Sequence, residues 1–312
     1  DFNALRDLSV VHYQLGNHWL RRREMEKALE HHEASQALDL ARLELDPENL
    51  LAQRDVLEST MQLADTLRLS GHREVAIQRS HEAIKLGDRI LLVNPTDRRA
   101  MRYLAYVLGD LGTMLCEAKD SESNRAEYLP LFERCLALME RAAELDSENP
   151  RGQFDIAYAK VKLSRGRLSA GEPANALVHL DDALAIQRGR CEQQAENLVA
   201  QNDLLEILLL KAEACQKLAQ NELARDLFAE AEATAERLMA EAPTSVAYRE
   251  TQIKVLYNFG KYLKTCGELQ RAETKFETVF QLATNLLQSG NATDTANHWI
   301  EKVNRELDEL QQ

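Results

Sequence analysis

The sequence predicts an all-α chain: six helix–turn–helix units in tandem, closed by one further helix at the C-terminal end. Three observations carry this. The 312 residues hold 12 Gly and 6 Pro, too little punctuation for a strand-rich or loop-rich protein. Apolar residues recur at helical spacing nearly throughout. Most tellingly, landmark residues return at a constant step of 48, the period of a tandem array rather than of an ordinary bundle.

The step is read from three columns. Ala28 leads by 48 to Ala76, and Ala176 leads by 48 to Ala224 and Ala272; the 100 residues between Ala76 and Ala176 are one step of 48 and one of 52. The extra four residues fall in the polar stretch Lys119-Asp120-Ser121-Glu122-Ser123-Asn124. A second column places Gly16, Ala64, Gly112, Ser164, Ala212 and Gly260 at one position, always a residue small enough for two helix backbones to approach. A third places His32, Ser80, Phe132, Leu180, Phe228 and Phe276 four residues after the alanine position, with a mostly small residue three further on. A large and a small residue three apart form a knob beside a hole on one helical face.

Each unit reads as helix, short turn, helix. Turns carry Gly71, Gly171 and Gly267, and unit boundaries carry Asp46-Pro47-Glu48-Asn49, Asn94-Pro95-Thr96-Asp97, Asp146-Ser147-Glu148-Asn149-Pro150 and Ala242-Pro243-Thr244-Ser245. Asn, Asp and Ser cap orphan N–H groups, and Pro suits a first helical turn or the residue just past a helix. The units span about 1–46, 47–94, 95–146, 147–194, 195–242 and 243–292, leaving 293–312. That last segment is amphipathic, with Ala296, Trp299, Ile300, Val303, Leu307 and Leu310 on one side, as a helix closing the open end of an array should be.

Together these columns resemble the tetratricopeptide repeat, in a long-helix form, since the family's usual unit is about 34 residues. The resemblance covers essentially the whole chain. It implies a right-handed α–α superhelix whose concave face, lined by the first helix of each unit, binds a protein or peptide partner without a cofactor. The 48-residue form, in which Arg6-Asp7-Leu8-Ser9-Val10 recurs as Arg54-Asp55-Val56-Leu57, is similar to arrays in large bacterial signalling proteins, which often follow a Ser/Thr kinase domain. The chain departs from the pattern at His32 and Ser80 in the aromatic column, Tyr128 in the alanine column, and Arg167 and Lys211 in the first-helix columns.

Chemistry is sparse. The sequence contains no Gly-rich phosphate loop, nucleophile elbow or HExxH zinc motif. In His31-His32-Glu33 the adjacent imidazoles point about 100° apart and cannot share one metal. The reading is therefore non-enzymatic, with no cofactor and no metal. With 38 basic and 51 acidic residues the net charge is −13, against a nucleic-acid binder. No run of 18 apolar residues is present to cross a membrane. Five widely spaced cysteines, never in a CxxC pair, read as buried thiols of a reducing compartment, the cytosol.

Counting from the small-residue column gives the candidate binding face. It takes Tyr13, Asn17 and Arg21 from the first unit, Gln62 and Asp65 from the second, and Tyr106 and Asp110 from the third. The fourth adds Tyr158, Lys162 and Arg165; the sixth adds Lys254, Tyr257, Asn258, Lys261 and Lys264. Tyr among polar groups supplies large contact area at low entropic cost. The cations of the sixth unit form one helical stripe, either a solvated lysine face or a seat for a carboxylate. The sequence therefore points to a protein-interaction scaffold, the C-terminal module of a larger signalling protein. The alternative is a self-associating or intramolecular sensor module. Asp1 aligns with Asn49, just past a unit boundary, and the last helix ends in Glu309-Leu310-Gln311-Gln312. Both lead to the expectation of an upstream domain, a Ser/Thr kinase first and a caspase-like peptidase or nucleotide switch next.

Overall fold

A computed structural model describes residues 2–118, 124–290 and 292–310. The regular structure of these residues is thirteen α-helices: α1 (Phe2–Arg21), α2 (Met25–Leu45), α3 (Leu50–Leu69), α4 (Arg73–Val93), α5 (Arg98–Cys116), α6 (Arg125–Glu144), α7 (Arg151–Ser169), α8 (Pro173–Gln193), α9 (Leu198–Lys217), α10 (Asn221–Glu241), α11 (Val246–Thr265), α12 (Leu269–Gln288) and α13 (Thr293–Leu310). Residues 119–123 of the polar stretch that carries the insertion, Asn291, and Asp1, Gln311 and Gln312 at the termini lie outside the described residues. The fold is an all-α, tetratricopeptide-like array. By packing it divides into two compact units, Asp1–Glu172 with α1–α7 and Pro173–Gln312 with α8–α13.

The 48-residue step is a step in backbone chemistry. Where the first helix of a pair ends, the chain enters the left-handed region at Arg23, Gly71, Gly171, Ala219 and Gly267, with φ of 61°, 82°, 74°, 58° and 78°. The next N–H then donates back five residues: Glu24 to the Trp19 carbonyl, His72 to Leu67, Glu172 to Arg167, Gln220 to Cys215 and Glu268 to Leu263, all at 2.8–3.0 Å. This bond is the signature of a Schellman cap, which satisfies carbonyls that the helix end leaves orphaned. The opposite boundary carries a second column. Asn49, Asp97, Asn149, Asn197 and Ser245 each accept a backbone N–H of the following helix's first turn, at 3.1–3.3 Å. Asn197 belongs to the one described boundary without a proline, which is why composition alone does not mark it.

Two of these five turn positions, Arg23 and Ala219, hold residues with a Cβ, which that conformation strains by about 1–2 kcal/mol. Ala219→Gly is expected to stabilise the second unit by about 0.5–1 kcal/mol after glycine's larger unfolded-state entropy is allowed for. Urea unfolding of the variant against the parent chain checks this.

The small column and the large column meet as knob and hole. A Cβ added at Gly112 would sit 2.7 Å from the Phe132 ring, one at Gly260 2.7 Å from Phe276, and one at Gly16 would overlap the His32 ring. Phe132 is buried and also closes on Gly166, where an added Cβ would lie 2.6 Å from its ring. Tyr128, which stands in the alanine column, is buried in the same cluster as Phe132, Leu111 and Leu163.

His32 keeps the shape of the aromatic column but adds a titration. Its Nδ1 lies 2.7 Å from Thr66 Oγ1, and the Thr66 hydroxyl also lies 2.9 Å from the Gln62 carbonyl. Burial pushes the imidazole down to about 4, with the Tyr13 carbonyl opposing and His31 reinforcing. The depressed value means the unfolded chain binds the proton first. The contribution is complete above pH 6.5 and falls away as pH drops toward 4. The first unit is expected to lose about 2 kcal/mol between pH 7.5 and pH 5 through this group. His32→Phe should flatten that segment of the pH–stability curve.

The expectation of five buried thiols holds for Cys116, Cys135 and Cys215 only. Cys191 is half-buried, and Cys266 is exposed because it occupies the C-cap of α11 beside left-handed Gly267. No helix of the described residues is long and apolar enough to cross a membrane.

Candidate interaction face

In the first unit α3, α5 and α7 pack side by side, so one face of each first helix meets the next. Polar side chains on that face are joined across helices at roughly the repeat spacing. The Tyr106 hydroxyl on α5 donates to Asp155 Oδ1 on α7 at 2.7 Å, and Arg102 donates to Oδ2 at 2.6 Å. One level along, the Tyr158 hydroxyl and Lys162 ammonium on α7 donate to Asp110 Oδ1 on α5 at 3.2 and 3.1 Å. Arg165 lies 3.5 Å from Glu117. Asp65 on α3 pairs with Arg68 at 2.5 Å. The two tyrosines of equivalent position, Tyr106 and Tyr158, meet edge to face at 5.0 Å. Burial and the facing carboxylates push both phenols well above their ordinary range, so they remain donors. Burial and the neighbouring Asp110 likewise push Asp65 up, against the pull of Arg68.

Thus Asp65, Tyr106, Asp110, Tyr158, Lys162 and Arg165 do share one face, but largely as partners of one another. They form a preorganised polar ladder. Its anchor, Asp155, is buried to 5% exposure and is not among the candidates drawn from the sequence. The recurrent Asp alone could have shown it, because Asp7, Asp55, Asp155 and Asp203 occupy one column.

The open part of the face lies at the α1 end. A cavity of about 220 Å³ is lined by Arg6, Ser9, Tyr13 and Gln14 of α1, Ser35 and Asp39 of α2, Asp55, Glu58 and Ser59 of α3, and Arg99 of α5. Its carboxylates differ in how they are held. Asp55 is paired with buried Arg42 and lies 3.4 Å from Arg6. Burial pushes the Asp39 and Glu58 carboxyls up, with the neighbouring Ser9 and Ser59 hydroxyls opposing at Asp39 and the Tyr103 hydroxyl opposing at Glu58. Asp39 comes from a second helix, where the column otherwise reads Gly87, Met139, Gln187, Ala235 and Ala283. A charge in that column was the available signal. Of the candidates on α1 and α3, Tyr13 lines this cavity, Asn17 and Gln62 are half-buried, and Arg21 is exposed with its Nε on the Asn17 carbonyl at 3.2 Å.

In the second unit α13 changes the lysine stripe. Lys264 donates to Glu306 at 2.8 Å and Glu309 at 2.6 Å, and the Tyr257 hydroxyl donates to Glu306 at 3.1 Å. Trp299 packs edge-on against Tyr257 at 5.3 Å, and burial with Glu306 pushes that phenol to about 12. Asn258 turns onto its own helix, donating to the Lys254 carbonyl at 2.9 Å. Lys261 remains exposed, its ammonium 5.9 Å from the Tyr257 ring. The stripe is therefore partly a docking strip for α13. Among the described residues no group of three or more His, Cys, Asp or Glu is placed to hold a metal.

No family model matches the chain, and no curated protein matches it in sequence. Solved structures do resemble it in fold. BtubC from P. vanneervenii is 16% identical over 84% of this chain and 92% of its own, with a TM-score of 0.53. The S. pombe nuclear import adaptor Nro1 is 12% identical over 97% and 99%, with a TM-score of 0.54. A Rap protein, solved in complex with Competence and Sporulation Factor, is 14% identical over 97% of this chain and 76% of its own, with a TM-score of 0.52.

Proposed function

We propose that the chain is a non-catalytic protein-interaction scaffold that binds a peptide segment along the first-helix face of its first unit, with a basic side chain seated in the cavity beside Tyr13. The observation that carries this is the cavity itself. Asp39, Asp55 and Glu58 line it, three carboxyl groups converging in a chain of net charge −13. A lysine or arginine entering there would gain charge-assisted hydrogen bonds in a partly desolvated site. The preorganised ladder from Tyr106 to Arg165 extends the same face with aromatic and polar groups, and a rigid groove limits the ordering cost of binding. The Rap protein's complex with Competence and Sporulation Factor supports the reading by analogy of fold. The finer placement, as a module of a larger bacterial signalling protein such as a Ser/Thr kinase, rests on the 48-residue resemblance.

Selection of displayed random peptides on the immobilised chain tests the groove. The enriched peptides are expected to share a Lys or Arg. Their affinity is expected to fall about ten-fold or more for the Asp39→Asn/Glu58→Gln double variant, which removes charge without changing shape. Equal affinity for parent and variant would remove the cavity from the binding site.

A further inference from the structure

The array repeats its backbone, so a column that changes character between repeats marks a local purpose. Leu45 and Val93 end α2 and α4, and Leu145 caps α6; the three stand in one column of the repeat. All are exposed, to 65%, 68% and 44%, and Leu92 beside Val93 is exposed to 83%. Val93 has a repeat on either side of it, so its exposure belongs to this edge of the array and not to either end of the chain. The next three members of the column are Gln193, Glu241 and Ser289. An exposed apolar row thus sets the edge of the first unit apart, and a contiguous exposed apolar surface marks an interaction site.

The same edge is acidic and largely unpaired. Glu44, Glu48, Glu140, Glu144 and Glu148 are exposed and pair with no group among the described residues. Arg98 is taken by Asp146, and Arg141 donates to the Pro95 carbonyl at 3.3 Å; Arg89, a turn back on α4, leaves the edge acidic. Beside Leu145 a cavity of about 540 Å³ opens between the end of α6 and the start of α7, lined by Glu140, Glu144, Ser147, Asn149, Gln153 and Ile156 among others. It suits a lysine or arginine, whose stem packs on apolar surface while its charge meets carboxylates. Asn49, Asp97 and Asn149 already cap the first turns of α3, α5 and α7 on this edge. An extended segment would find few backbone groups to pair with, whereas a helix satisfies its own.

From the apolar column and the unpaired carboxylates we infer that this edge of the first unit docks a basic amphipathic helix of a partner protein. The apolar side of that helix covers Leu45, Val93 and Leu145, and a lysine or arginine enters the cavity at Glu140 and Glu144. The carboxylates would repel an anionic lipid surface, so the occupant is a protein. The edge shares no residue with the Asp39 cavity proposed above as the peptide seat, so the two readings fail separately.

The probe is a stapled, dye-labelled helical peptide with leucine at i, i+3, i+7 and i+10 and lysine on the flanks, titrated with the full chain by fluorescence anisotropy. Saturable one-to-one binding is expected. The triple variant Leu45→Gln/Val93→Glu/Leu145→Ser installs the residues that the chain itself carries three repeats on. It should bind about ten-fold more weakly or worse, with an unchanged unfolding transition. Glu140→Gln/Glu144→Gln should also weaken binding about ten-fold and flatten its salt dependence. Asp39→Asn/Glu58→Gln removes as many carboxylates from the groove and should leave the affinity unchanged. The inference is overturned if the parent chain does not bind the probe, or if either edge variant binds it as tightly as the parent. It is overturned equally if the groove variant loses as much affinity as the edge variants. A parent chain that sediments as a dimer, converted to monomer by the triple variant, would also overturn it by making a second copy the occupant.

Discussion

Phe132→Ala is expected to lower the stability of the first unit by about 3–5 kcal/mol, the cost of deleting a large, fully buried aromatic where the surroundings cannot collapse. The site is unusually unforgiving because the ring is gripped by two glycines, Gly112 and Gly166, on successive first helices. Neither glycine has a side chain that could swing into the void. Leu180 holds the equivalent position in the fourth repeat, so Phe132→Leu should cost appreciably less. Denaturant unfolding followed through the first unit's transition separates the two. Equal, small losses for both variants would mean that the knob-and-hole column does not hold the repeats together.

Removal of α13 is expected to have the second large effect. The helix packs on α12 through buried Ala296 and Val303, and on α11 through Trp299 and the Glu306 and Glu309 carboxylates. Ending the chain before Thr293 should expose this surface and abolish the cooperative melting of the second unit, or drive aggregation. Val303→Asp in the full chain should do nearly the same, since an unpaired carboxylate at a fully buried site costs about 4 kcal/mol or more. One repeat step beyond Gly260 stands Asp308, exposed and charged where every earlier unit has Gly, Ala or Ser. Reversal of Lys254, Lys261 and Lys264 to Glu is consequently not a neutral surface change: it would set a third carboxylate beside Glu306 and Glu309.

The array was legible because its columns are backbone requirements. Positions that must be small, or left-handed, or able to cap a helix, are written in few residue types and return with the step. The residues of the candidate face were legible as positions but not as states. Periodicity places Tyr106 and Tyr158 on one face. It does not show that each is already bonded to a carboxylate one helix away, since Asp155 and Asp110 are ordinary members of a chain with 51 acids. Lys264 read as free because its partners lie 42 and 45 residues downstream, on a helix considered only for its apolar side. Asp39 was missed because attention to first helices passes over a second-helix side chain reaching through to the same face.

The proposed seat of a partner is the first-helix face of the first unit. Hydrogen–deuterium exchange of the full chain, with and without a saturating selected peptide, tests it most directly. Slowed exchange is expected in α1, α3 and α5 around Tyr13, Glu58 and Tyr106, with α10 and α12 unchanged. Protection confined to the second unit, or to the second helices α2, α4 and α6, would contradict it.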